Sequence, residues 1–203
     1  MQHKLAESET KTPRELLPAF YEQYHLNSDG GQSSPYVKIE FANRFFLYFP
    51  NSDTRRKAVF KHDVHHIATG YTSTFKGETE IGAWEIGSGC KHYWIAFILD
   101  LHAMIIGVLF NPAGVYRAFI KGRQTKNLYT DVFTDKELMD MPLSAIKEKL
   151  LLNNYSKKKK GSFIDVLLFL LLVLFGVIYS VLSLVLLPFV LIYTIYIITK
   201  NKK

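Results

Sequence analysis

The stretch of sequence that decides the fold is residues 52–70, SDTRRKAVFKHDVHHIATG. Asn51 or Ser52 can cap the amino end of a helix here, and Gly70 is a natural terminator at the other end. Residues 54–69 contain no glycine or proline, and apolar side chains recur along one stripe. That stripe consists of Val59, Phe60, Val64 and Ile67. The sequence therefore predicts a helix from Thr54 to about Thr69.

The same helix carries the most informative motif of the chain, Lys61-His62-Asp63-Val64-His65-His66. In a helix, His62 and His66 are one turn apart and project from the same side. Asp63 then lies about 100° from His62 and about 60° from His66 around the axis. Eleven residues separate His66 from Glu78, which belongs to the next predicted helix. Two imidazoles and a carboxylate therefore share one face, with a second carboxylate in reach.

These residue types are the ligands of a catalytic metal site. Imidazole and carboxylate together suit zinc, iron or manganese, of which we expect zinc, and two histidines with one carboxylate leave a coordination position open. Asp63 would either bind the metal, or accept a hydrogen bond from a ligand histidine and handle a proton. The alternative interpretation is a solvated helix face that bears three histidines.

Other elements are predicted around this helix. A second helix extends from about Gly77 to about Gly87, and Glu78 and Glu85 return to one face of it because they are seven residues apart. A further amphipathic helix begins at Pro142. Residues 36–50 are rich in Phe and Tyr, and so short a run fits a strand or a helix equally well.

Residues 92–110 form a long apolar run that contains Asp100 and His102. The run is long enough to span a bilayer, but a charged residue in the middle of a span is costly. We therefore expect a helix buried in protein. In it, His102 would be a core histidine with its hydrogen bonds satisfied, and Asp100 would be a buried or capped carboxylate.

The carboxyl-terminal segment is a separate apolar region. Residues 163–199 hold Asp165 as their only charge, and lysines flank them on both sides. One straight helix would be about 55 Å long, whereas a hydrocarbon core is about 30 Å thick. We expect a hairpin of two spans, about 163–181 and 183–199, with the lysines at both ends on the cytoplasmic side. The alternative is one long tilted helix kinked at Pro188.

The chain thus divides into three predicted parts. Residues 1–35 are a polar segment with one short helix, Pro13 to about His25. Residues 36–155 form a helical domain that carries the metal-ligand motif, and residues 156–203 form the basic-flanked transmembrane segment. The predicted fold class is all-α, a helical metal-binding domain followed by a transmembrane helical hairpin. The protein is expected at the membrane, with its main domain on the cytoplasmic face.

The net charge of +7 does not indicate nucleic-acid binding. Residues 156–203 hold seven Lys and one Asp, whereas the other residues hold 18 Lys and Arg against 17 Asp and Glu. The excess therefore belongs to the flanks of the apolar tail, and no basic face with spaced aromatics remains. Cys90 is the only cysteine, so an intramolecular disulfide is excluded and a reducing compartment is expected.

The wider pattern resembles the coenzyme Q biosynthesis protein 4 family. The hallmark of that family, His-Asp-x-x-His-(x11)-Glu, is matched by His62, Asp63, His66 and Glu78. The likeness covers about residues 45–152. Further points of similarity are Gly70 after the motif, Trp84-Glu85, Phe110-Asn-Pro112 with Arg117 displaced, and Pro142-Leu143. The paired apolar spans at 163–199 depart from the pattern, and His65 beside His66 makes the ligand register ambiguous, although the x11 spacing favours His66.

The resemblance implies a divalent metal held by His62, Asp63, His66 and Glu78 beside a lipophilic cavity. It implies a role in ubiquinone biosynthesis, namely metal-dependent oxidative decarboxylation or hydroxylation at ring carbon 1 of a polyprenylated benzoate precursor. Asp63 or Glu85 would manage the proton. Expected partners are the polyprenylated quinone precursor, the membrane and other quinone-biosynthesis proteins.

Two other functions remain open. The first is a non-catalytic scaffold that binds a prenyl lipid and holds the quinone biosynthetic complex together around a structural metal. The second is a hydrolase: His62-Asp63 could be the doublet of an HD-type phosphohydrolase, with His25 upstream and Asp100 or Asp131 downstream. The motif also echoes the His-Glu-x-x-His zinc peptidases, with Asp in place of the base.

Overall fold

The computed structural model describes residues 9–41, 45–130, 132–156 and 160–200, and they are mostly helical. Asp131, which the hydrolase scheme invokes, lies outside them. The described helices are α1 Pro13–Gln23, α2 Asp53–Thr69, α3 Phe75–Ser88, α4 Trp94–Phe110, α5 Pro112–Arg123, α6 Asp135–Met139, α7 Leu143–Lys149, α8 Phe163–Ser183 and α9 Leu187–Lys200. Short 3-10 turns cover Leu152–Asn154 and Leu184–Leu186, and two strands are β1 Tyr36–Phe41 and β2 Phe45–Pro50.

Helix α2 has the bounds that its capping residues predict. The hydroxyl of Ser52 accepts a hydrogen bond from the backbone N–H of Arg55. Gly70 ends the helix in the left-handed conformation, with φ of 77°, which costs glycine little because it has no Cβ. The metal-ligand motif therefore sits in the last two turns of a helix with defined ends.

Helix α3 is the centre of the domain, packed between α4 and α5. It begins at Phe75, two residues before the predicted start, because the Thr74 hydroxyl caps it by accepting from the N–H of Gly77. The side chain of Trp84 is fully buried and donates from Nε1 to the hydroxyl of Thr125 at 2.9 Å. This packing fixes α3, and with it the carboxylates it carries, against α2.

Residues 36–50 form an antiparallel β-hairpin, so the prediction of an all-α domain is wrong at this point. Tyr36 pairs with Pro50 and Phe41 pairs with Phe45. The physical reason is an apolar period of two along β1, where Val37 and Ile39 alternate with charged neighbours. Apart from strands β1 and β2, the described part of the domain is mostly helical.

The carboxyl-terminal segment, Phe163–Lys200, is one helix long and apolar enough to cross a membrane. The structure does not show the predicted hairpin of two spans. Instead, the backbone of Ser183, Leu184 and Leu187 stays right-handed helical, so the chain runs on through the 3-10 turn without reversing. This matches the alternative of one long helix, because no Gly, Asn or Pro occupies the predicted turning point.

This segment also contacts the domain. A Cβ at Gly176 would meet the side chain of Ile105 at 2.6 Å, which shows how closely α8 approaches α4. Farther along, the hydroxyl of Thr194 accepts a hydrogen bond from the backbone N–H of Tyr48 in β2. Most of the apolar side chains of α8 and α9 nevertheless remain exposed.

Candidate metal centre and its cavity

Three predicted ligands converge where α2 meets α3. The Nε2 atoms of His62 and His66 are 3.1 Å apart. Glu78 completes the group, with Oε2 at 3.4 Å from His62 Nε2 and Oε1 at 3.4 Å from His66 Nε2. Four-coordinate zinc with bonds of about 2.0–2.1 Å places neighbouring ligand atoms about 3.3 Å apart. Each oxygen of Glu78 therefore lies from the imidazole nitrogen it faces at about the separation of two ligand atoms of one zinc ion, and the ligand atoms of the three residues lie within 4.8 Å of one another.

The hydrogen bonds of the two histidines indicate which nitrogen is free to bind. His66 Nδ1 lies 2.9 Å from the backbone carbonyl of Tyr71, and His62 Nδ1 lies 3.0 Å from Glu85 Oε1. A carbonyl or carboxylate oxygen can only accept, so each Nδ1 donates its proton and each neutral ring keeps its lone pair on Nε2. Two Nε2 atoms 3.1 Å apart are held together either by a hydrogen bond, when one ring is protonated, or by a metal ion that takes both lone pairs.

The electric field at this point favours a cation. Burial lowers the pKa of His62, but the carboxylates of Glu85 and Glu78 outweigh it and raise that pKa well above 6.5. Burial raises the pKa of Glu78, yet hydrogen bonds with His62 and His66 hold it well below its ordinary value. Two carboxylates thus remain ionised around the imidazole pair, an arrangement that a divalent ion would neutralise.

Glu85 holds the imidazole of His62 in place through the ring nitrogen that does not face His66. Its side chain is fully buried, and its carboxylate accepts hydrogen bonds from three donors: His62 Nδ1, His65 Nδ1 at 2.5 Å and the Tyr129 hydroxyl at 3.2 Å. Burial raises its pKa, but the neighbouring histidines hold it well below 4.5. A carboxylate that receives the second N–H of a ligand histidine is a recurrent feature of metal sites.

His65 has a different role from its neighbours. Its Nε2 accepts the backbone N–H of Leu128 at 2.8 Å, so its proton is on Nδ1 and points to Glu85. Both ring nitrogens are therefore occupied in the core, and burial lowers the pKa of the ring. This geometry agrees with the x11 spacing: His66, rather than His65, faces Glu78.

A second group consists of His62, Glu85 and Asp100, whose donor atoms lie within 4.8 Å of one another. Burial and the nearby Glu85 raise the pKa of Asp100 well above 3.8, and the two carboxyl groups share a hydrogen bond. A neutral Asp100 that donates to Glu85 explains their closeness without an ion. We therefore interpret Asp100 and Glu85 as groups that hold His62 in position for the first group, His62, His66 and Glu78.

Asp63, predicted as a ligand or a proton carrier, lies outside both groups. Its Oδ2 accepts a hydrogen bond from the hydroxyl of Tyr21 at 2.8 Å. Burial raises the pKa of Asp63 to about 6, against the lowering effect of His62. The side chain is thus a buried carboxylate held on α2 by α1, beside the ligands.

An apolar cavity of about 180 Å³ opens beside His62 and Glu78. A cavity of about 150 Å³ lined by apolar side chains holds benzene, so this one has room for a single aromatic ring. Its apolar walls come from α2 and α4: Ala58, Val59, Ile95, Ala96, Leu99 and Ala103. Arg55, Asp100 and Tyr129 complete the lining. Leu99 is also 42% exposed, so it marks the mouth on the outer face of α4.

Arg55 is the cation of this cavity. One of its guanidinium nitrogens donates to Asn51 Oδ1 at 3.1 Å. Burial lowers the pKa of the guanidinium, and the negative charge of Asp63 offsets part of that lowering. Sequence reasoning missed Arg55, although it precedes His62 by seven residues and so shares its helix face. Sequence reasoning placed Asp100 in the core, where it lies, but did not predict its contact with Glu85.

His102 and His25 do not join the metal centre. His102 donates from Nδ1 to the backbone carbonyl of Ile98, and its Nε2 lies 3.3 Å from the Ser183 hydroxyl, as expected of a satisfied histidine. His25 is exposed just after α1. In the part of the chain that the structure describes, neither group of ligands contains His25 or Asp63, so the HD-type scheme gains no support.

Comparison with profiles of known protein families found no match, and no curated protein or solved structure matched the chain. The resemblance to the coenzyme Q biosynthesis protein 4 family stays a prediction.

Proposed function

We propose that this protein is a membrane-anchored, metal-dependent enzyme of ubiquinone or related isoprenoid quinone biosynthesis. Its substrate would be a polyprenylated benzoate, and its reaction an oxidative decarboxylation or hydroxylation at ring carbon 1: the carboxyl group would leave as CO2, a hydroxyl group would take its place, and an added oxidant such as dioxygen would accept the two electrons. The observation that carries this proposal is the convergence of His62, His66 and Glu78 on one point at the wall of a ring-sized apolar cavity.

The donor set fits a divalent ion, with zinc the favoured metal. His62, His66 and Glu78 would hold it, and Glu85 and the carbonyl of Tyr71 would fix the orientation of the two imidazoles. A metal bound here would act as a Lewis acid toward an oxygen of the substrate ring. Because the three ligands leave the cavity side open, the arrangement is typical of a catalytic rather than a structural site.

The cavity selects for an aromatic carboxylate. Its apolar walls would bind the ring, and the guanidinium of Arg55 would pair with the carboxylate at ring carbon 1. The cavity is too small for a polyprenyl chain as well, so the chain would leave past Leu99 along the exposed apolar face of α4.

Three acidic groups take different roles in this proposal. Asp100 lines the cavity and, being protonated, could exchange a proton with an oxygen of the substrate. Glu85 lies behind His62 and does not line the cavity, so we assign it a positioning role in place of the proton transfer that the sequence suggested. Asp63 remains a candidate for proton transfer next to the ligands.

The apolar segment would place the enzyme where its substrate is. The exposed apolar surface of α8 and α9 would hold the protein at the cytoplasmic face of the membrane, where a polyprenylated substrate resides. Other enzymes of quinone synthesis are the expected partners, since each acts on a bilayer-bound intermediate.

The test is to express His66→Ala and Glu78→Ala in cells that depend on this chain and to analyse their lipids by mass spectrometry. We expect a prenylated precursor that still carries its carboxyl group to accumulate in both variants. Lys57→Gln, which changes an exposed residue of α2, is the control and should leave the lipid profile unchanged. Normal quinone levels in both metal-site variants would refute the enzyme proposal.

A scaffold would behave differently. If the metal only holds the fold together, the same variants should lower the melting temperature and release partner proteins, with no separate loss of turnover. Turnover of a generic phosphomonoester by the purified chain would instead favour the hydrolase.

A further inference from the structure

A second, larger cavity lies on the other side of the α2 terminus, away from the metal cavity. Its volume is about 710 Å³, within the range of ligand-binding pockets. The wall combines three cations with three tyrosines and one carboxylate. These are Arg117, Lys121, Lys160, Tyr71, Tyr116, Tyr155 and Glu80.

The charges of this wall favour an anion. Three cations against one carboxylate leave a net charge of +2. The carboxylate of Glu80 already accepts a hydrogen bond from Asn111 at 2.8 Å, which holds it at one side. Burial raises the pKa of Tyr71, so its hydroxyl stays protonated and can donate. Guanidinium, ammonium and phenol donors together are the groups that recognise a phosphate.

Lys121 is held in place at the back of the cavity. Its Nζ donates to the backbone carbonyl of Thr69 at 3.3 Å and lies 4.8 Å from the centre of the Tyr71 ring and 5.8 Å from that of Tyr155. An ammonium fixed between two rings loses little conformational freedom when it binds a ligand. Arg117, by contrast, is exposed at the rim.

The cavity adjoins the start of the apolar segment. Lys160 and Gly161 line it, and two residues later Phe163 and Ile164 are 81% and 70% exposed. Tyr116, on the wall, packs its ring 5.3 Å from that of Phe169 in α8. A ligand whose phosphate occupies the cavity would therefore have its own apolar part against the first turns of α8.

We propose that this cavity binds the headgroup of an anionic phospholipid. The phosphate would contact Arg117, Lys121 and Lys160, and the acyl chains would lie beside Phe163 and Ile164. The inference rests on the membrane anchoring in the proposed function, but it does not depend on the metal or on the reaction. A soluble phosphate ester offers the same phosphate without the acyl chains, so the test separates these two sources.

The test uses the full chain purified in a neutral detergent and native mass spectrometry of the lipid it retains. The probes are phosphatidylglycerol, phosphatidylcholine and inorganic phosphate, added separately. We expect phosphatidylglycerol to remain bound and to raise the melting temperature, and phosphatidylcholine to do neither. A basic side chain near a membrane surface contributes about 1 kcal/mol, so Arg117→Gln should weaken phosphatidylglycerol binding about fivefold. Arg117→Gln with Lys160→Gln should weaken it further.

The matched control is Lys57→Gln with Lys136→Gln, which removes two exposed charges outside the cavity and should leave binding unchanged. Equal retention of phosphatidylcholine, or unchanged binding in the Arg117 and Lys160 variants, would overturn the proposal. Full stabilisation by inorganic phosphate alone would assign the cavity to a soluble phosphate ester and also overturn it. Flotation of the chain with phosphatidylcholine vesicles reports the anchoring separately.

Discussion

At the residue scale, the metal centre depends on where each histidine keeps its proton. Tyr71 and Glu85 each accept from an Nδ1, and this leaves the two Nε2 atoms facing each other. Helical spacing predicted that His62 and His66 share a face, whereas Glu78, on the next helix, was predicted from the x11 spacing of the family motif. The sequence could not predict the carbonyl of Tyr71, since a backbone acceptor depends on the path of a loop.

The role of Glu85 leads to a prediction about metal affinity. Glu85→Gln keeps the shape of the side chain but removes the charge that stabilises the His62 imidazole as a ligand. Loss of such a supporting carboxylate typically weakens metal binding about 10-fold to 100-fold. Competition with a chromophoric chelator measures the effect, and Glu148→Gln, an exposed glutamate of α7, is the control. Unchanged affinity in Glu85→Gln would show that His62 is not a ligand.

Asp63 leads to a prediction about stability and pH. Burial raises its pKa from 3.8 to about 6, so the folded state binds a proton more tightly than the unfolded state does. The metal-free protein should therefore lose stability as pH rises between about 4 and 6, by up to about 3 kcal/mol. Asp63→Asn removes this loss, because an amide does not ionise and still accepts from Tyr21.

Urea unfolding in the presence of a chelator measures this effect. Asp63→Asn should be more stable than the wild type at pH 7.5, and the two should converge at pH 4. Glu22→Gln, an exposed position on α1, should stay within about 0.5 kcal/mol of the wild type at both pH values. A variant less stable than the wild type at pH 7.5 would contradict the account of Asp63.

At the scale of elements, the ends of helix α2 were predictable from the sequence, whereas the β-hairpin formed by β1 and β2 was not. Ser52 and Gly70 bound α2 as their capping preferences indicate, because those preferences are local. Residues 36–50 remained ambiguous because aromatic residues suit both helices and strands when they pack on a core. The missing information there is tertiary: Thr194 of α9 pairs with the backbone of Tyr48 in β2.

The close approach of α3 and α5 leads to a prediction about packing. A Cβ at Gly122 would lie 2.3 Å from the backbone carbonyl oxygen of Trp84, and neither backbone can yield easily. Gly122→Ala should therefore destabilise the protein by about 1–3 kcal/mol. Ala113→Ser, at an exposed position on the same helix, should change stability by less than about 0.5 kcal/mol. A neutral Gly122→Ala in urea unfolding would mean that the two helices lie farther apart.

At the scale of the whole molecule, the contacts of the apolar segment lead to a prediction about how the domain would meet a membrane. The middle of the segment contacts α4 through Gly176, and its end contacts β2 through Thr194. Because the segment touches the domain at both of these points, we expect Lys160 and Lys200 to lie on the same side of the membrane as the domain. The bias of lysine toward the cytoplasmic side supports this arrangement.

Cysteine labelling tests this sidedness. In a Cys90→Ser background, single cysteines at Lys160→Cys and Lys200→Cys should react with an impermeant maleimide from the same side of sealed vesicles. Glu22→Cys marks the side of the domain. Labelling of the two ends from opposite faces would contradict the prediction and show a single crossing.

The most direct test of the central claim is the metal content of the purified full chain after supply with zinc, iron and manganese. The account predicts one divalent ion per chain, lost in His66→Ala and in Glu78→Ala and kept in His102→Ala. A wild-type chain that holds no ion, or a His66→Ala variant that keeps its full content while folded, would contradict the metal centre.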